Sequence, residues 1–232
     1  VPPTAAPPKP PPGYQPYAPS LPITSSAGLR TTVVVLFWIA TAASLLMALA
    51  AFARRSTFDG FLEGSKTIDD LDSADAAVGV AFVLFALTLL VAAILLAIWS
   101  HRSVGNAKKV TGSLELRPGL AAWGWFIPIA YLFVPFAVLR RAAHVTGLDG
   151  NAVSRWQLGF LALFAGQVAF RVFGTFDAFR DDAGTVSDKL RNQGIVGVVV
   201  TIVLVLTTLA ASKAMKQLDV GIERRNAGQP AM

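Results

Sequence analysis

Four apolar runs, each close to the length a helix needs to cross a bilayer, recur along this chain and constrain its fold more than any other feature. They extend from about Thr31 to Ala53, Ala74 to Trp99, Trp156 to Phe176 and Ile195 to Ala211. In hydrocarbon the backbone finds no water to bond, and a helix satisfies its own donors and acceptors. The chain is 54% hydrophobic and only 15% charged, too little polar surface for a soluble fold of 232 residues. The predicted fold class is all-α integral membrane, with four transmembrane helices, a further broken segment at 120–139 and a disordered Pro-rich N-terminal tail.

Three regions follow. Residues 1–27 form the tail, 28–212 the helical transmembrane domain and 213–232 a polar C-terminal tail. The first is rich in proline, which favours polyproline II and leaves little to bury. Tyr14 and Tyr17 amid the prolines suit an aromatic-lined groove on a partner. The opening does not follow the order of a secretory signal. It starts at Val1, which reads as numbering begun inside a longer product.

The stretch Leu120–Leu139 is also apolar but contains Pro128 and Pro135. Proline removes a helix hydrogen bond and clashes with the preceding turn, so a straight crossing is not expected. Charge placement then decides the topology. With four crossings, about 13 Lys and Arg lie on one side and about six on the other. With five crossings the split is about nine to ten. Positive charge collects on the cytoplasmic side, so the expected arrangement is four spans with both termini cytoplasmic, and 120–139 re-entrant or interfacial. Such a segment must pack among the helices or against a partner. Trp99, Trp123, Trp125 and Trp156 then fall near the inner boundary, as in an aromatic belt.

The string W-S-H-R-S-V-G-N-A, followed by R-P-G-L-A-A-W-G-W-F-I-P-I-A-Y-L-F-V-P, resembles the DUF4328 family of bacterial, mainly actinobacterial, multi-pass membrane proteins. The matching residues are Trp99, Arg102, Asn106, Ala107, Pro118, Gly119, Trp125, Phe126, Pro128 and Pro135. Family members often have a polar residue between the two prolines, where this chain has Ala130 and Tyr131. The resemblance implies an architecture and carries no activity.

Arg102 and Asn106 stand four apart and share a helix face. They are expected to cap carbonyls freed by Pro128 and Pro135, or to hold a lipid phosphate. Trp123, Trp125 and Phe126 read as interface anchors, with a quinone or lipid slot as the alternative. Arg171 lies inside the third of the four apolar runs, on one face with Gln167 and Gly174. It is expected to pair with an outer acid such as Asp177, or to meet an anion or partner. Ala40, Ser44 and Ala48 form a small-residue face that lets helices approach closely.

Several functions are not expected. The chain has no cysteine, and His101 and His144 stand apart from any acidic cluster, so no metal or cofactor is predicted. No HExxH, GxSxG or Rossmann glycine pattern occurs, and G-F-L-E-G-S-K-T at 60–67 has the wrong spacing for a phosphate loop. The net charge of +6 sits beside apolar runs, where it meets lipid headgroups; nucleic acid is not an expected partner. The expectation is a non-enzymatic accessory or scaffold subunit of a larger membrane complex, respiratory or cell-envelope, whose partners are lipids and other subunits. The alternative is a small transporter or channel, with Arg171 and the re-entrant segment lining a polar path toward Arg102.

Overall fold

The computed structural model describes residues 22–176 and 183–228, without the side chains of 167–176 and 183–185. The chain order is α1 (Ala27–Leu62), α2 (Ile68–Thr111), α3 (Pro118–Trp123), a 3-10 turn (Ala130–Leu132), α4 (Val134–Val145), α5 (Asn151–Phe176) and α6 (Ala183–Asn226). The fold is all-α. Among the described residues three helices, α1, α2 and α6, are long and apolar enough to cross a membrane. In the most apolar window of α2 only 22% of residues are buried, as expected of a helix whose solvent is lipid.

The helices outrun the apolar runs. α2 has 44 residues, about 66 Å at 1.5 Å per residue, against roughly 30 Å of hydrocarbon. The polar stretch after Trp99 continues the helix as far as Thr111. Much of the acidic stretch that follows Ala53 is also helical. Asp59 belongs to α1, and Asp69, Asp70 and Asp72 open α2, where a negative first turn suits the helix dipole. Thr67 and Asp70 close a reciprocal capping box: the Asp70 amide donates to Thr67 Oγ1 (3.3 Å) and the Thr67 amide donates to Asp70 Oδ2 (2.8 Å). Gly112, at φ 66°, ends α2 in the left-handed conformation that glycine adopts without penalty. Residues 213–226, read as part of a tail, extend α6.

α1 packs against both α2 and α6, and α6 packs against α5, so the long helices lie in the order α2, α1, α6, α5. The small-residue face of α1 explains the close approach to α6. Ala40, Ser44 and Ala48 are all buried; Ser44 Oγ lies 3.0 Å from Thr201 Oγ1, and Ala48 meets Gly197. The backbones of α2 and α5 stay apart among the described residues, and α4, which packs on both, bridges them at one end.

The segment 120–139 is not one helix. It runs from α3 through a turn and a 3-10 turn into α4. The segment is broken as the prolines lead one to expect, and two of the chain's prolines also open helices. Pro118 opens α3 and the buried Pro135 opens α4, positions where the missing N–H is unneeded and the fixed φ suits a helix. Pro128 stands in the break itself. There Ile129 takes φ 67°, and the Ala130 amide donates to the Pro128 carbonyl (2.7 Å). This is the rarer, strained hand of γ-turn.

The core lies at this end of the bundle. Trp99 and Val104 of α2, Phe136 and Leu139 of α4, Trp156 of α5 and Met215 and Leu218 of α6 are buried together. Trp99 and Trp156, expected in an interfacial belt, are 1% and 2% exposed and belong to this core instead. Trp125 and Phe136 of the broken segment pack on Trp156, while Trp99 is enclosed beside Asp219 of α6.

Candidate functional site

The best-packed polar cluster gathers where the start of α1, the second half of α2 and the last turns of α6 meet. Its centre is Asp219, 4% exposed. Ser26 Oγ donates to Asp219 Oδ1 (2.7 Å), Arg30 Nη1 donates to Oδ2 (2.9 Å), and Ser103 Oγ reaches Oδ1 at 3.4 Å. A buried charge is tolerable when it is both paired and hydrogen-bonded, and Asp219 is both. The Trp99 indole lies beside the same carboxylate, but its buried Nε1–H meets no acceptor at hydrogen-bonding geometry among the described residues.

One turn further along α2, two family-core residues hold the chain as it enters α1. Asn106 Nδ2 donates to the Thr24 carbonyl (2.7 Å), and Asn106 Oδ1 accepts from the Thr24 amide (3.3 Å). Arg102 Nη1 donates to the Ser25 carbonyl (3.2 Å). The two side chains do share a face, as their spacing requires. Their partners differ from the expected ones: they bind residues 24 and 25, not carbonyls beside Pro128 or Pro135. The reason is position. α1 enters the bundle directly against this face of α2, and residues 24 and 25 lie outside any helix, so their backbone polar groups need partners. Together Thr24, Ser25 and Ser26 are clasped by Asn106, Arg102 and Asp219.

The carbonyl of the broken segment is served by a residue that the sequence reading passed over. Gln157 of α5 is 8% exposed and donates from Nε2 to the Leu132 carbonyl (2.9 Å). Trp125 is held in turn by Ser100, with Nε1 donating to Oγ at 3.1 Å. Its ring sits against Phe136, Trp156 and Phe160 at centroid distances of 5.2, 5.9 and 6.0 Å. Trp125 is thus a core aromatic with a satisfied N–H, while Trp123 (69% exposed) and Phe126 (49%) face outward.

Gln167 and Arg171 lie on α5, but their side chains fall outside the described residues, as do the pairing with Asp177 and Tyr14 and Tyr17 of the tail. The structure therefore brings Trp99, Arg102, Asn106, Trp125 and Pro135 to one end of the bundle, with Pro128 in the adjoining turn. Ser26, Arg30, Ser103, Asp219 and Gln157 are the residues the sequence reading missed. One signal was present for Asp219: Ala211, Met215, Leu218 and Ile222 form an apolar stripe at helical spacing, and Asp219 lies inside it.

The model of a domain of unknown function, DUF4328, matches residues 63–219, about two thirds of the chain. The chain belongs to the DUF4328 family. No curated protein and no solved structure matches it. The matched stretch of this DUF4328 protein contains Trp99, Arg102, Asn106, Gln157 and, as its last residue, Asp219. Thr24, Ser25, Ser26 and Arg30 precede it. The clasp therefore joins the family region to the segment that follows the Pro-rich stretch.

Proposed function

We propose that this DUF4328 protein is a non-catalytic accessory subunit of a larger membrane complex, and that its Pro-rich tail is the docking element. The supporting observation is the clasp on Thr24, Ser25 and Ser26 by Asn106, Arg102 and Asp219. The family-core polar groups at this end are engaged with one another and with the root of the tail. Fixing the root sets where the tail leaves the bundle, and a tether that starts from a fixed point presents its docking strip at a raised effective concentration.

The reading includes a topology. The four apolar runs cross a bacterial inner membrane and both termini lie in the cytoplasm, on the side where Lys and Arg collect. The segment 120–139 is re-entrant. α3 and α4, of six and 12 residues, are about 9 and 18 Å long, too short to cross roughly 30 Å of hydrocarbon, and they pack against α2 and α5. A transporter or channel would need a polar path. The cavity between α2 and α5 is lined along its described length by apolar side chains, with Tyr131, Gln193, Thr207 and Thr208 the polar exceptions.

The test is purification of the tagged full chain from its native membrane in mild detergent, with native sizing and mass spectrometry. Stoichiometric recovery of a membrane complex, lost on removing residues 1–21 and weakened by Asn106→Ala, is the expected result. A clean monomer or homo-oligomer would overturn the proposal.

A further inference from the structure

A second feature is independent of the clasp. Between α2 and α5, where those helices fail to meet, the bundle contains a cavity of about 680 Å³, within the range of small-molecule sites. Phe82 and Phe85 stand on the α2 side and Leu163 and Phe164 on the α5 side. α1 and α6 form the back wall, where Ala48 and Gly197 are too small to fill the space. Tyr131 and Trp156 close the end nearest the core.

We propose that this groove holds one hydrocarbon chain of a membrane lipid. Its residues belong to the apolar runs of α2 and α5, so the groove lies at the depth of lipid tails. Ordered water is a poor occupant, because each water needs two to four polar partners and this lining offers few. A partner helix is also a poor fit. Helices associate in lipid through small residues that let their backbones meet, whereas the sides of this gap carry four phenylalanines and three leucines. A helix is also 10–12 Å across, while a single hydrocarbon chain is narrow and adapts its path.

The groove has a direction. At the end away from the core, a smaller depression shares Met47, Val78 and Phe82 with it and adds Arg54 and Asp75, an ion pair between α1 and α2. The polar end of the lipid lies there, and the chain runs inward toward Tyr131. The aromatic cluster behind Tyr131, whose ring stands 5.8 Å from Phe160, forms the stop.

The full chain is reconstituted into phosphatidylcholine–phosphatidylglycerol vesicles containing a phosphatidylcholine with a diazirine in its acyl chain. After photolysis, labelled residues are mapped by peptide mass spectrometry. Outward side chains such as Val80 and Leu84 are labelled in any case, since they face lipid. The proposal requires labelling also at Phe160 and Leu204, the latter only 8% exposed. Gly166→Phe supplies the decisive variant: Gly166 lines the groove, and a Cβ there meets nothing within 4 Å among the described residues. It should abolish labelling of Phe160 and Leu204 and leave Val80 and Leu84 unchanged. Groove labelling that persists in this variant overturns the proposal. So does a wild-type map confined to outward residues, and if the protein is then a dimer, the gap belongs to a second copy. Should the variant fail to fold, the wild-type map decides.

Discussion

Asn106 grips both backbone polar groups of Thr24, donating to the carbonyl at 2.7 Å and accepting from the amide at 3.3 Å. They stand 82 positions apart, with all of α1 and most of α2 between them, so this pair fixes the chain entering α1 against the far end of the α1–α2 hairpin. A primary amide suits the task because it carries both a donor and an acceptor in one plane.

Replacing Asn106 by Ala should free Thr24 while leaving the core intact. The loss is about 1–3 kcal/mol locally, the cost of leaving part-buried polar groups without partners. Hydrogen exchange should show the Thr24 amide losing protection, and proteolysis near residues 22–26 should accelerate. Asn106→Asp tests the geometry further: its carboxylate can accept from the Thr24 amide but faces the Thr24 carbonyl without a donor. It should free the tail root at least as much as alanine does. A variant whose exchange at Thr24 matches wild type would contradict the clasp.

The Arg30–Asp219 pair carries a larger penalty. Asp219 is almost wholly buried, and Arg30 keeps 23% of its side chain exposed. Removing one partner from a buried pair typically costs 3–5 kcal/mol, and the partial exposure of Arg30 puts Asp219→Ala nearer about 3 kcal/mol. Thermal unfolding in detergent measures it. Combining Arg30→Met with Asp219→Leu should recover much of the loss, because no charge is then left stranded. If the two single losses simply add in the double variant, the pair does not interact as described.

Much of this organisation was legible in the sequence. Long apolar runs specify helices because hydrocarbon forbids unpaired backbone, and Ala40, Ser44 and Ala48 announce a close helix contact by size and spacing alone. The ends of helices were not legible. Hydropathy stops reporting where lipid stops, but α2 continues to Thr111 and α6 to Asn226 because a polar residue facing water is as helical as an apolar one facing lipid. The destination of Trp99 and Trp156 was hidden for another reason. A tryptophan near an interface suits either a belt or a core, and only the tertiary neighbours decide: Trp125 and Phe136 pack on Trp156, and Asp219 of α6 lies beside Trp99. The partners of Arg102 and Asn106 depended on which segment arrives at their face, a tertiary fact with no local signature.

Gln157 tests the proline-broken segment. It supplies the Leu132 carbonyl with a donor in a buried site, so Gln157→Leu keeps the bulk and removes the bond. A loss of about 1–3 kcal/mol is expected from the orphaned carbonyl. The change should be local: near-ultraviolet circular dichroism from the adjoining Trp125–Trp156 cluster should weaken while helix content is retained. Unaltered stability would mean that the carbonyl finds another partner and that Gln157 does not hold the segment.

Gly197 offers a test whose sign is informative. In an exposed helix interior, glycine to alanine stabilises by about 0.8–1 kcal/mol, because alanine costs less backbone entropy. At Gly197 a new Cβ would stand 2.8 Å from Ala48 Cβ and 3.1 Å from Ala48 Cα. The latter is backbone and cannot turn aside, so α1 and α6 must separate. Overpacking of this kind costs about 1–3 kcal/mol, which outweighs the propensity gain and reverses the sign. Gly197→Ala should therefore lower the midpoint of thermal unfolding in detergent. Adding Ala48→Gly removes one of the two opposing carbons and should return part of the loss, even though that second change alone is unfavourable in a helix. A stabilised Gly197→Ala protein would place α1 and α6 further apart than the structure has them.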